Sequence, residues 1–168
     1  MADLAALLEP HIPALRRYAY ALLRNHEQAD DLVQDTLERA LSRWSLRRSE
    51  GDLRAWLFTI QRNLHVSRWR QDRRRGMPVE MDEAVLPGVP ARQETTLEVH
   101  DVLAALDQLP EEQKSLLLLV GVEDFSYDEA ARILGMPIGT VMSRLSRARL
   151  RLRSIVETGR TTLLRRVK

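Results

Sequence analysis

Along most of the chain apolar residues recur three and four positions apart, the spacing of one helix face. Ile12, Leu15, Ala19, Leu22 and Leu23 predict a helix that ends near Arg24, with Asn25 and Gln28 placed to cap the one that follows. The next stretch carries Ala29, Leu32, Val33, Thr36, Leu37, Ala40, Leu41 and Trp44 on one stripe, the clearest amphipathic period of the amino-terminal half. A polar break at Ser49 to Asp52, containing Gly51, precedes a third stripe of Leu53, Trp56, Leu57, Ile60 and Leu64. Three such stripes can close a small core.

The pattern lapses between Gly76 and about Thr95, where Gly76, Pro78, Pro87, Gly88 and Pro90 interrupt any period and read as a flexible linker. Helical spacing resumes at Leu97, Leu103 and Leu106, and Pro110 suits the first turn of a helix running through Leu116 to Val120. Ser126 and Glu129 form a capping-box pattern ahead of Ala130, Ala131, Ile133 and Leu134, and Gly135 can terminate that helix. A short turn, Met136 to Gly139, then leads into one last long helix. This is helix-turn-helix grammar. The expected fold is all-α, with helical domains over 1–75 and 96–168 joined by a linker over 76–95.

Composition narrows the functional classes. Hydrophobic residues make up 44% and charged residues 30% of 168 residues, which suits a soluble helical protein, and no apolar run reaches membrane-spanning length. The opening MADLAALLEP carries acids and lacks a basic secretory start, so a cytoplasmic location without membrane insertion is expected. There is no cysteine, and His11, His26, His65 and His100 are scattered, so neither a metal nor another cofactor is expected. Carboxylates cluster opposite the second stripe without a neighbouring histidine or a Gly-rich substrate loop, which argues against an enzyme.

The formal net charge of +2 conceals a segregation. Residues 62–75 hold six arginines against Asp72, and residues 135–168 hold nine basic residues against Glu157, whereas residues 76–134 carry thirteen acids against three bases. A polyanion can therefore be touched at two places. In the last helix Val141, Leu145, Ala148 and Leu152 share a core-facing stripe. Met142, Ser143, Ser146 and Arg147 lie opposite, flanked by Arg144 and Arg151, where a recognition helix meets base edges and phosphates. Arg147 is the base-reading candidate; the alternative is that these arginines only solvate an exposed face.

Four ordered blocks then carry a resemblance: DDLVQDTLERAL (30–41), AWLFTIQRNL (55–64), LDQLPEEQKSLLLLV (106–120) and FSYDEAARILGMPIGTVMSRLSRARLRLR (125–153). At this spacing the chain resembles, over nearly its whole length, the extracytoplasmic function (ECF) subfamily of sigma-70 factors. The resemblance implies a region 2 domain, a linker and a region 4 domain. It implies that Asp31, Gln34, Asp35 and Glu38 dock on the clamp helices of the polymerase β′ subunit, and that region 4 meets the β flap. It also implies that the block Ile60 to Arg75 captures an unstacked base of the minus-10 element. Asn63 matches the base-reading position, Trp69 offers a stacking face, and Arg62, Arg68, Arg70, Arg73 and Arg74 can track phosphates.

Trp69 closing the core and Asn63 bonding local backbone are the alternatives at those two positions. Met142 and Val120 stand where family members often place a cation, so fewer charges reach the minus-35 element, and Met142 offers an apolar contact such as a thymine methyl. The implied function is promoter-specific initiation with core RNA polymerase and promoter DNA as partners and an anti-sigma factor as regulator. Two other readings are a sigma-like decoy that sequesters an anti-sigma factor and a helix-turn-helix repressor. A decoy has no need of both basic blocks, and a repressor leaves the amino-terminal half without a task.

Overall fold

The computed structural model describes residues 3–48, 51–76 and 93–167, the last stretch with side chains from 99 to 159. Among the described residues every regular element is helical. The chain divides into two compact units, Met1–Val89 with Arg132–Gly135, and Pro90–Ala131 with Met136–Lys168. The linker expected over 76–95 lies almost wholly outside the described residues, as does part of the polar break at 49–52.

The first unit opens with α1 (Leu4–Leu8), capped by the Asp3 carboxylate, which accepts from the Ala5 N–H. This short helix has no counterpart in the periodic reading, because five residues hold too little of a period to register. Helix α2 (Ile12–Leu23) stops where Arg24 takes a left-handed conformation, φ 54°. Helix α3 (His26–Ser42) begins at Asn25, whose side chain accepts from the Gln28 N–H at 3.0 Å. Helix α4 (Leu53–Arg75) runs unbroken until Gly76, φ 64°, ends it.

Leu15, Tyr18, Ala19, Leu32, Val33, Ala40, Leu57, Phe58 and Ile60 close the core between α2, α3 and α4. Tyr18 and Phe58 meet at a ring separation of 5.3 Å. A buried polar relay crosses this core. The Thr36 hydroxyl donates to the Leu32 carbonyl at 2.7 Å and lies 3.5 Å from Gln61 Oε1, while Gln61 Nε2 donates to the Leu15 carbonyl at 2.8 Å. Gln61 thus ties α4 to both neighbours with its polar atoms partnered, which removes most of the penalty of burying an amide.

Two residues of the second stripe depart from it. Leu41 is 48% exposed, because at about 100° per residue it falls off the face centred on Leu32, Val33, Thr36 and Ala40. Trp44 sits past the helix end, in a 3-10 turn at Trp44–Leu46, and is only half-buried.

In the second unit α5 (Gln93–Asp107) starts inside the span that composition assigned to the linker; the side chain of Leu97 is not among those described. Helix α6 (Glu111–Leu117) follows Pro110 and continues into a π turn at Leu118–Val122. The capping box of α7 (Tyr127–Leu134) forms in both directions: the Ser126 N–H donates to Glu129 Oε1 at 3.3 Å, and the Glu129 N–H donates to Ser126 Oγ at 3.1 Å.

Gly135, φ 64°, closes α7, with its N–H bonded to the Arg132 carbonyl and that of Met136 to the Ala131 carbonyl. The last helix, α8 (Ile138–Val167), begins two residues earlier than a turn reaching Gly139 would place it, because the Thr140 and Val141 N–H groups already bond the Pro137 carbonyl. Both α5 and α6 pack on α8. A nearly buried ion pair, Lys114 Nζ to Asp107 at 2.7 Å, fastens α6 to α5.

Candidate functional site

Three surfaces carry the sequence candidates, and each is set by how its helix buries the opposite face. On α3 the apolar stripe is consumed by the core, which leaves Asp31, Gln34 and Glu38 exposed and Asp35 half-buried on the outer side. Gln34 Nε2 donates to Glu38 Oε1 at 3.4 Å. Asp35, Glu38, Arg39, Ser42 and Leu64 line a groove of about 400 Å³ between α3 and α4. Asp35 is also ion-paired with Arg68, so one member of the acidic face is joined to one member of the basic block.

The basic block lies on the carboxy-terminal half of α4. Burial stops at His65, and residues 69–76 are all exposed, so this end of the helix projects its cations into solvent. Trp69 is 37% exposed with the Arg73 guanidinium 4.8 Å from its ring centre, which excludes the core-closing role for Trp69. Trp69, Arg70, Arg73 and Arg74 line a shallow hollow of about 330 Å³. Asn63 is exposed and Arg62 half-buried on the same helix, one to two turns nearer the core.

On α8 Val141, Leu145 and Ala148 are buried at 0%, 1% and 0%, which fixes the rotation of the helix. Met142, Ser143, Ser146, Arg147 and Arg151 are exposed on the opposite side, and Met142 shows 53% of its surface. Leu152 is half-buried rather than core. Arg144 differs from its neighbours: it is half-buried and ion-paired with Glu112 of α6.

One surface went unread in the sequence. Trp44 and Trp56, assigned there to core stripes, are both half-buried and meet edge-on at 6.1 Å, with the Arg47 guanidinium 4.9 Å from the Trp44 ring. The signal was present as aromatic residues interleaved with Arg43, Arg47, Arg48 and Arg54, but periodicity claims an apolar residue for the core before any other role is weighed. Among the described residues no helix is long and apolar enough to cross a membrane.

The chain is similar in sequence and fold to known proteins. Residues 8–61 match the family model of the Sigma2 domain of PhyR, and residues 100–152 match that of sigma-70, region 4. The chain is 42% identical over 145 residues to the ECF RNA polymerase sigma factor EcfG of Rhodopseudomonas palustris (strain TIE-1), covering 86% of this chain and 80% of that one. It is 34% identical over 146 residues to the ECF RNA polymerase sigma factor SigL of Mycobacterium tuberculosis (strain ATCC 25618 / H37Rv), covering 83% and 81%. Among solved structures it resembles the sigma factor RpoE of Bartonella quintana, in complex with the anti-sigma factor NepR, with a TM-score of 0.79, 37% identity and coverage of 94% and 98%. With both regions matched in order and a relative of this identity spanned over most of its length, the chain belongs to the ECF subfamily of sigma-70 RNA polymerase sigma factors.

Proposed function

We propose that this sigma factor binds core RNA polymerase through the outer face of α3, opens the minus-10 element with the exposed half of α4, and holds the minus-35 element with the free face of α8. The observation that carries the reading is the presence in one chain, in family order, of an acidic helix face and two separate basic helices. In this reading Asp31, Gln34, Asp35 and Glu38 meet the β′ clamp helices. Asn63 reads a flipped base with its amide, Trp69 stacks, and Arg62, Arg68, Arg70, Arg73 and Arg74 follow phosphates. Met142, Ser143, Arg144, Ser146, Arg147 and Arg151 face the minus-35 groove, and the second unit also contacts the β flap. Polymerase supplies the effective concentration at which two weak DNA contacts add. The chain works in the cytoplasm, carries out no chemistry of its own, and is held in check by an anti-sigma factor, as its RpoE relative is bound by NepR.

A decoy reading has one observation in its favour. The region 2 model that matches is named for PhyR, and the PhyR of Bartonella quintana is an anti-anti-sigma factor that was solved with NepR. That likeness is 19% identical and spans 49% of the PhyR chain, against 37% and 98% for RpoE, so it speaks to fold alone.

The residue assignments are tested by run-off transcription from promoter libraries randomised separately at each element. Arg147→Ala should reduce minus-35 discrimination by about 1–3 kcal/mol and leave minus-10 preference alone. Asn63→Ala should do the converse, and a variant that leaves both profiles unchanged removes that residue from the interface.

A further inference from the structure

We infer that Glu112 is a positioning residue for minus-35 recognition, its carboxylate holding the Arg144 guanidinium at the border of the reading face of α8. The inference rests on the function proposed above, since it takes α8 as the element that meets the minus-35 DNA.

Rotation of α8 is set by Val141, Leu145 and Ala148, which are fully buried. At about 100° per residue Arg144 then lies roughly 40° from Ala148 on one side and roughly 60° from Arg147 on the other. It stands where the buried stripe meets the exposed face, and it is half-buried where Arg147 and Arg151 are exposed. Left alone, a side chain with so many rotamers would sweep past the DNA in many poses. Glu112 narrows that choice. It projects from α6, whose following residues Lys114 to Leu119 are buried and which packs directly on α8, so the carboxylate sits on a rigid support.

The pair engages Arg144 through Nη1. A guanidinium carries five N–H donors in a planar fork, and those turned away from the carboxylate remain for a phosphate or a base edge.

Stability does not account for such a pair. Its side chains are 39% and 53% exposed, and exposed ion pairs add little. A carboxylate beside the DNA also repels phosphates, which lowers affinity for every sequence alike. Glu112 therefore weakens general binding while sharpening selective binding, and a merely structural residue would not separate the two.

The test uses holoenzyme assembled from core polymerase and the full chain, transcribing a promoter library randomised at minus 35 with a fixed minus-10 element, alongside binding to matched and mismatched promoters. Glu112→Gln should cut minus-35 discrimination about fivefold, near the low end of a base contact, while binding to mismatched promoters stays equal or strengthens. Glu112→Asp should recover part of the discrimination. The charge swap Glu112→Arg with Arg144→Glu should leave thermal stability unchanged and fail to restore discrimination. Unchanged discrimination in Glu112→Gln, or an equal loss on matched and mismatched promoters together with a lower Tm, overturns the inference. If the unaltered protein transcribes specific promoters but shows no minus-35 preference, the assignment of α8 fails and the inference falls with it.

Discussion

The two candidate DNA surfaces are built differently. On α8 the reading face lies directly behind a buried stripe, so Val141, Leu145 and Ala148 hold the same turns that present Met142, Ser143 and Arg147. On α4 the core contacts end near His65, and Trp69 to Arg75 extend along a solvated helix steadied by the local contact of Arg73 over Trp69, beyond the Arg68 pair that ties the helix to Asp35 of α3. A surface bolted to a core suits reading a fixed duplex groove, where small errors of placement cost a base contact. A helix end with few packing ties suits strands that are separating, where side chains must follow bases leaving the stack. Under the proposed assignment of these faces, fold and binding are coupled in the second unit and separable in the first.

That contrast can be broken most forcefully in the core of the second unit. Leu145→Ala should cost about 2–5 kcal/mol, lowering the melting transition of that unit and abolishing minus-35 discrimination together; calorimetry alongside library transcription checks both, and retained discrimination in a destabilised protein would uncouple them. In the first unit Gln61→Leu should cost about 1–3 kcal/mol by removing the donor that the buried Leu15 carbonyl accepts from, while Thr36 keeps its bond to Leu32, seen as a lower denaturant midpoint.

Arg74→Ala should leave that midpoint within about 0.5 kcal/mol and lower the salt slope of promoter binding by about one. A stability loss there would show that the exposed half of α4 is packed after all. The smallest effect concerns His11, whose imidazole is pushed below its ordinary value of 6.5 mainly by burial, with Arg54 adding and Asp52 opposing. The fold favours its neutral form, so its contribution is complete above about pH 6.5 and fades as the pH falls below that. His11→Gln should therefore show a slightly smaller drop in Tm between pH 7.5 and 5 than the unaltered protein.

Much of this architecture could be read from local chemistry. The stops at Arg24, Gly76 and Gly135, the cap at Asn25 and the reciprocal box of Ser126 and Glu129 depend on residues adjacent in the chain, and each forms. What escaped depends on neighbours distant in sequence. Gln61 reads as polar until Leu15 and Thr36, 46 and 25 positions away, turn out to be its partners. Arg68 and Arg144 read as free cations, and only the packing of α3 on α4 and of α6 on α8 brings Asp35 and Glu112 to them. Trp44 and Trp56 read as core because an apolar period cannot distinguish a buried ring from one at the rim.

The most direct measurement of the central claim is run-off transcription in vitro with purified chain and sigma-free core polymerase on a genomic promoter library, with core alone as the control. New transcripts from a defined promoter set, sharing both a minus-10 and a minus-35 element, are the predicted result. Tight binding to core polymerase or to an anti-sigma factor with no transcript from any promoter would contradict it.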